Sequence, residues 1–167
     1  MPLRIALYQP DIAGNVGTIL RMAACFGVGC DIIHPCGFAF SQRSLKRAGM
    51  DYLDQANITE HDDWAAFEHS AEAHNRRIIL LSSKASVPLP QANFMSDDII
   101  LMGSESKGAP PAVHDRADMR VHIPMQPGFR SLNVAVAAGI ALSEGLRQTQ
   151  QFPCPPIPLG RQSDEGI

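Results

Sequence analysis

The sequence predicts an α/β domain built on a mostly parallel sheet flanked by helices. Three observations point there: strand-like and helix-like segments alternate along 167 residues, Ile78–Leu81 and Ile99–Met102 are continuous apolar runs of strand length, and 45% of the residues are hydrophobic against 19% charged. Uninterrupted apolar runs belong to strands covered by helices on both faces, and this apolar content suits one core of domain size.

Arg4–Tyr8 reads as a short buried strand, followed by a loop through Gln9, Pro10, Asp11 and Gly14. Asn15 suits the N-cap of a first helix, whose apolar stripe of Ile19, Leu20, Ala23, Ala24 and Phe26 stops at Gly27. Asp31–His34 is a second strand and Ser44–Gly49 a short basic helix. Asp62–His74 has amphipathic spacing, with Trp64, Phe67 and Ala71 on its inner face. After the two apolar strands, Pro110 and Pro111 suit the first turn of a helix, Val121–Ile123 a last strand and Ser131–Gln148 a long final helix. In that helix Ala135, Ala138, Gly139, Ala141 and Gly145 keep the surface low, so another backbone can come close, either within the core or across a dimer contact. Residues 1–151 thus form a single domain. The proline-rich stretch 152–167 reads as an extended, disordered tail.

Composition narrows the function classes. Met1–Tyr8 has no basic lead followed by a long apolar region, and the longest apolar run, Val134–Leu142, is far short of the ~20 residues that span a bilayer. A cytoplasmic protein without membrane contact is expected. Cys25, Cys30, Cys36 and Cys154 lack paired spacing, which argues against zinc and disulfides and for packing thiols. A net charge of −3 gives no overall attraction to nucleic acid, yet Arg43, Lys46 and Arg47 form a local basic cluster.

In an open α/β sheet ligands collect at the carboxyl ends of the strands. The loops there hold Ser82-Ser83-Lys84, Gly103-Ser-Glu-Ser-Lys-Gly108 and Pro124 through Asn133. Glycines at 103, 108 and 128 let backbone groups approach a ligand, although ordinary turns are built the same way. No Gly-x-Gly-x-x-Gly follows the first strand and no Walker phosphate loop is present, so the pattern points to an adenosine held by backbone and away from a phosphate chain held by a helix.

Three segments taken together, Asn15-Val-Gly-Thr-Ile-Leu-Arg21, Met102-Gly-Ser-Glu-Ser-Lys-Gly108 and Ile123-Pro-Met with Arg130-Ser-Leu-Asn-Val-Ala-Val136, resemble the signature motifs of the SPOUT (α/β-knot) methyltransferases. Within that superfamily, His34-Pro-Cys-Gly-Phe-Ala-Phe40 and Leu45-Lys-Arg-Ala-Gly-Met-Asp-Tyr52 resemble the small TrmL/YibK-type enzymes. These are tRNA (cytidine/uridine) 2′-O-methyltransferases of the wobble nucleotide. The resemblance implies a C-terminal trefoil knot, a homodimer, the anticodon loop of tRNA as substrate and S-adenosyl-L-methionine as methyl donor, with S-adenosyl-L-homocysteine as product and no metal. By position it implies a cofactor pocket of Leu81, Gly103, Ile123, Ser131 and Leu132. Asn15, Arg21, Ser131 and Asn133 would face the target ribose, and Glu105 would brace the loop. A guanidinium stays protonated in nearly every setting, so Arg21 is expected to hold a phosphate and stabilise the developing alkoxide while another group takes the proton. Arg43, Lys46, Arg47, Lys107 and Arg130 are candidates for RNA contact, with a solvated surface as the competing explanation. None of the six histidines lies in the three motifs, which assigns them to surface or packing. Two other functions stay open: methylation of a different tRNA or ribosomal RNA ribose, and a non-catalytic RNA- or cofactor-binding module.

Overall fold

The computed structural model describes residues 1–40 and 56–154. The predicted basic helix at 44–49, with Arg43, Lys46 and Arg47, and most of the tail lie outside the described residues. Seven strands, β1 (Arg4–Tyr8), β2 (Gly29–Ile33), β3 (Ile58–His61), β4 (Ile78–Leu81), β5 (Val87–Pro88), β6 (Ile99–Met102) and β7 (Met119–His122), form one parallel sheet in the order β3-β2-β1-β6-β4-β7-β5. Among the described residues, four α-helices flank it: α1 (Ala13–Phe26), α2 (Trp64–Ala73), α3 (Pro111–Arg116) and α4 (Val134–Thr149).

The apolar runs behave as expected, since every residue of β4 and β6 is buried. One face of the sheet packs Ile5, Leu7, Ile79, Ile100 and Met102 against Ile19, Leu20 and Ala23 of α1 and Ala138, Leu142 and Leu146 of α4. The other packs Ala6, Ile78, Leu80 and Leu101 against Phe67 and Ala71 of α2 and Val113 of α3. Gly145 of α4 lies where an added Cβ would stand 3.2 Å from Leu3, and one at Gly139 would stand 3.3 Å from Met22 of α1. Close packing, against α1 at Gly139 and against Leu3 and Ile100 at Gly145, therefore offsets the roughly 1 kcal/mol that each helical glycine costs.

Several boundaries differ from the sequence expectation, each for a physical reason. Helix α1 begins at Ala13, ahead of Asn15, and its first turn has no side-chain cap; the Asn15 amide is engaged elsewhere, as described below. Its far end is as expected, with Gly27 at φ 66° donating to the Ala23 and Ala24 carbonyls. Helix α4 begins at Val134 with Asn133 as its cap, which leaves Ser131 and Leu132 in the preceding loop. Strands β3 and β5 were not foreseen. β3 is an edge strand whose Thr59 and Glu60 are exposed, and β5 is a two-residue edge strand containing Pro88, a residue that sheets confine to their edges. The cysteines are all free, but packing accounts for only some of them: Cys30 is buried, with its thiol pushed up by desolvation, whereas Cys25 and Cys154 are exposed.

Register sets up the site. Leu81 of β4 pairs with Met102 of β6 and Val121 of β7, so three strands end at one level and their loops leave the sheet side by side.

Candidate active site

The loops after β4, β6 and β7 enclose a cavity of ≈ 590 Å³. The middle loop is drawn into a closed turn by Ser104 N–H donating to the Gly108 carbonyl at 3.1 Å and Gly108 N–H donating back at 2.8 Å. That closure brings backbone against Gly103, where a Cβ would lie 2.7 Å from the Gly108 carbonyl carbon and 2.8 Å from Ala109 N. No residue larger than glycine fits there without moving backbone.

A chain of side-chain hydrogen bonds runs along the cavity mouth. Asn15 Nδ2 donates to Glu105 Oε1 and Asn133 Nδ2 donates to Asn15 Oδ1, both at 3.0 Å. Asn133 Oδ1 in turn accepts from Ala135 N at 2.9 Å, so the cap of α4 is tied through α1 to the loop after β6. Asp11 completes the clasp: its N–H donates to Glu105 Oε2 at 3.0 Å and its carboxylate accepts from Glu105 N at 3.1 Å, from Ser106 N at 3.3 Å and from the Ser106 hydroxyl. The Asp11 carboxyl is held down at about 2, with Glu105 and then Ser106 supplying the groups that hydrogen-bond it. Such a lattice, built from segments about ninety or more residues apart, fixes the amides of Asn15 and Asn133 before any ligand arrives.

Of the residues expected at the cofactor pocket, Leu81, Gly103, Ile123, Ser131 and Leu132 all line the cavity, as do Asn15, Glu105, Asn133 and Lys107. Arg21 does not line it; it is exposed on α1 beyond Asn15. Arg130 is exposed in the last loop and likewise outside the lining. Sequence reasoning missed Asp11, and it placed His114 and His122 among surface or packing residues although both line the cavity. The available signal was His122 itself, a polar residue inside the predicted strand Val121–Ile123 and directly ahead of a candidate ligand loop. Among the described residues, no group of three His, Cys, Asp or Glu side chains is placed to hold a metal ion, and no helix is long and apolar enough to cross a membrane.

Residues 2–143 match the SpoU rRNA Methylase family. The chain belongs to that family. Its relatives include a tRNA (cytidine(34)-2'-O)-methyltransferase of Beijerinckia indica subsp. indica, 55% identical over 144 residues that cover 86% of this chain and 90% of the relative. A solved structure described by the words "structural insights into the 2-OH methylation of C/U34 on tRNA" is 40% identical, covers 87% of this chain and 95% of its own, and superposes with a TM-score of 0.82. An AdoMet-bound rRNA methyltransferase from Sinorhizobium meliloti is 28% identical and superposes with a TM-score of 0.78, covering 87% of this chain and 56% of its own. Family membership accounts for the motif spacing: the matched region contains all three loops and the helix that carries Asn15 and Arg21.

Proposed function

We propose that this chain transfers a methyl group from S-adenosyl-L-methionine to the ribose 2′-hydroxyl of nucleotide 34 in tRNA, as the names of its relatives state for them. The observation that carries this reading is the hydrogen-bonded chain Glu105–Asn15–Asn133 at the mouth of a cavity formed by three strand-end loops.

The cavity suits the methyl donor. Its volume lies within the range of ordinary cofactor sites, about 300–1,000 Å³. Leu81, Met102, Ile123 and Leu132 offer apolar walls for a purine, while Ser82, Lys84, Glu105, Lys107 and Ser131 offer polar partners for a ribose and a charged amino acid. The close packing at Gly103 keeps the middle loop thin enough for its backbone to serve as a contact. When bound, the donor supplies a sulfonium methyl electrophilic enough to be taken by an oxygen held in line with it.

The protein's part is alignment and proton handling. Asn15 and Asn133, whose amides are already oriented, and the exposed Ser131 hydroxyl position the ribose edge. Arg21, about 9 Å farther along α1 than Asn15 at 1.5 Å rise per residue, holds the neighbouring phosphate with its fork of donors and steadies charge developing on the 2′-oxygen. The proton passes to an acceptor other than the guanidinium, which stays protonated. Lys107 and Arg130 extend the cationic surface toward the anticodon loop.

The chain works as a homodimer in this reading. Val136 and Ile140 of α4 are 52% and 39% exposed, and with Gly139 and Ser143 they form a groove against Leu89 and Pro90. An apolar strip of that kind suits a second copy. The segment after β7 is threaded as the trefoil knot of the resemblance, which the position of β4 between β6 and β7 and the packing of α4 on β6 and α1 support. Residues 1–151 are the methyltransferase domain, and the enzyme acts in the cytoplasm, where its tRNA substrate resides.

Incubation of the purified protein with methyl-labelled S-adenosylmethionine and total tRNA tests the reading directly. Label is expected on the 2′-oxygen of nucleotide 34. Label on another ribose would redirect the substrate assignment, and none in any RNA would leave a binding module.

A further inference from the structure

We infer that Gly37, in the loop after β2, is a positioning residue for methyl transfer: it seats Asp11, and through the Asp11–Glu105 clasp it sets the Asn15 amide at the cavity mouth. This role rests on the methyl-transfer reading above. Gly37 belongs to the His34–Phe40 segment, of which no residue lines the cavity. Tyr8 and Ile33 are register partners, so the loops after β1 and β2 leave the sheet side by side. They are tied together where Gln9 N–H donates to the Ile33 carbonyl and Gly37 N–H to the Pro10 carbonyl, both at 2.9 Å.

At Gly37 an added Cβ would stand 2.6 Å from Asp11 Cβ and 2.9 Å from Asp11 Cα. The φ of Gly37 lies outside the left-handed region, so space and not backbone conformation demands glycine there. A side chain at this position forces something to move, and the loop has little freedom to do so, because Cys36, Phe38 and Phe40 pack partly buried against the core. The displacement falls on Asp11. Asp11 grips Glu105 twice, its N–H donating to Glu105 Oε2 and its carboxylate accepting from Glu105 N. Glu105 Oε1 accepts in turn from Asn15 Nδ2, and α1 itself begins two residues after Asp11. A shift at Gly37 is thus passed to the amide that aims the ribose, although Gly37 is exposed and lies outside the cavity lining.

A double-mutant cycle on Gly37→Ala and Asp11→Ala, read by kcat and by KM for tRNA with urea unfolding of each protein alongside, tests the inference. Gly37→Ala should lower kcat by about tenfold to a hundredfold while KM for tRNA stays within about twofold. Asp11→Ala should cause a loss of the same order. Added to Asp11→Ala, in which the clasp is already open, Gly37→Ala should cost no more than about twofold further, because both act through one network. In isotope-labelled protein without RNA, the side-chain amide signals of Asn15 and Asn133 should shift in Gly37→Ala. Unchanged kcat in Gly37→Ala overturns the inference. So do losses that multiply in the double variant, which place the effect of Gly37 outside the clasp, and a raised KM with kcat kept, which makes the loop after β2 an RNA contact. So does a loss that the unfolded fraction accounts for. Retained kcat in Asp11→Ala overturns it whether or not Gly37→Ala folds, and unshifted Asn15 signals overturn it without reference to turnover. Wild-type protein that transfers no methyl group to any RNA removes the methyl-transfer reading and this role with it.

Discussion

Asn15 shows why a single residue type admits two readings. An asparagine ahead of an apolar stripe has the signature of a helix cap, but here the helix starts earlier and the amide bridges Glu105 and Asn133 instead. Asn15→Ala should therefore cost about 1–2 kcal/mol of stability for the two hydrogen bonds lost while lowering kcat by about a hundredfold, the scale of a small misplacement at a reacting centre; steady-state kinetics beside urea unfolding separates the two effects. Arg21→Lys should cost about tenfold or more in kcat/KM, because lysine keeps the charge and loses the fork. Near-full turnover in that variant would show that Arg21 acts only as a point charge. Asp31 offers the opposite contrast. Its buried carboxylate accepts from Arg4 Nε at 2.6 Å and lies 2.9 Å from His61 Nε2, away from the cavity lining. Asp31→Ala should lower unfolding free energy by about 3 kcal/mol, the cost of stranding a buried partner, with kcat per folded molecule retained.

Among the elements, those with a burial-driven pattern were legible in the sequence and those fixed by distant partners were not. β4 and β6 announced themselves because both faces are covered, and α2 did so through Trp64, Phe67 and Ala71, of which Phe67 and Ala71 are buried. β3 and β5 stayed hidden because edge strands need little apolar patterning and tolerate Glu60 or Pro88. The three loops were legible as a site because they follow strand ends, and the residues assigned to the pocket by resemblance do line the cavity. The Asp11 clasp was invisible, since nothing local in Gln9-Pro10-Asp11 reveals a partner ninety-four positions away. That clasp makes the middle loop pH-sensitive. A carboxyl lowered from its ordinary 3.8 to about 2 by folding adds stability that is complete above the unfolded value and is lost as pH falls through about 2. The stability gap between wild type and Asp11→Asn, followed by urea unfolding, should thus be widest above about pH 5 and close toward pH 2.

For the whole molecule, net charge misleads and topology decides. A chain of net charge −3 is an unpromising RNA binder by composition, yet Lys107 lines the cavity and Arg21 and Arg130 are exposed, while acidic Glu68 and Glu72 are paired with Arg116 on α2 and α3. tRNA affinity should accordingly fall steeply with salt, and binding measured across a salt series checks this. The alternating elements alone lead to an ordinary doubly wound sheet, because knots are so rare that pattern reasoning discards them; only the motif set pointed further. In the proposed reaction the cavity between the loops after β4, β6 and β7 holds the methyl donor with its reactive end toward the rim of Asn15 and Asn133. A crystal structure with S-adenosylhomocysteine tests it most directly. The adenosyl group is expected between Leu81, Gly103 and Ile123 with sulfur facing that rim; a ligand bound elsewhere, or the same cavity filled by the protein's own side chains, would rule the arrangement out.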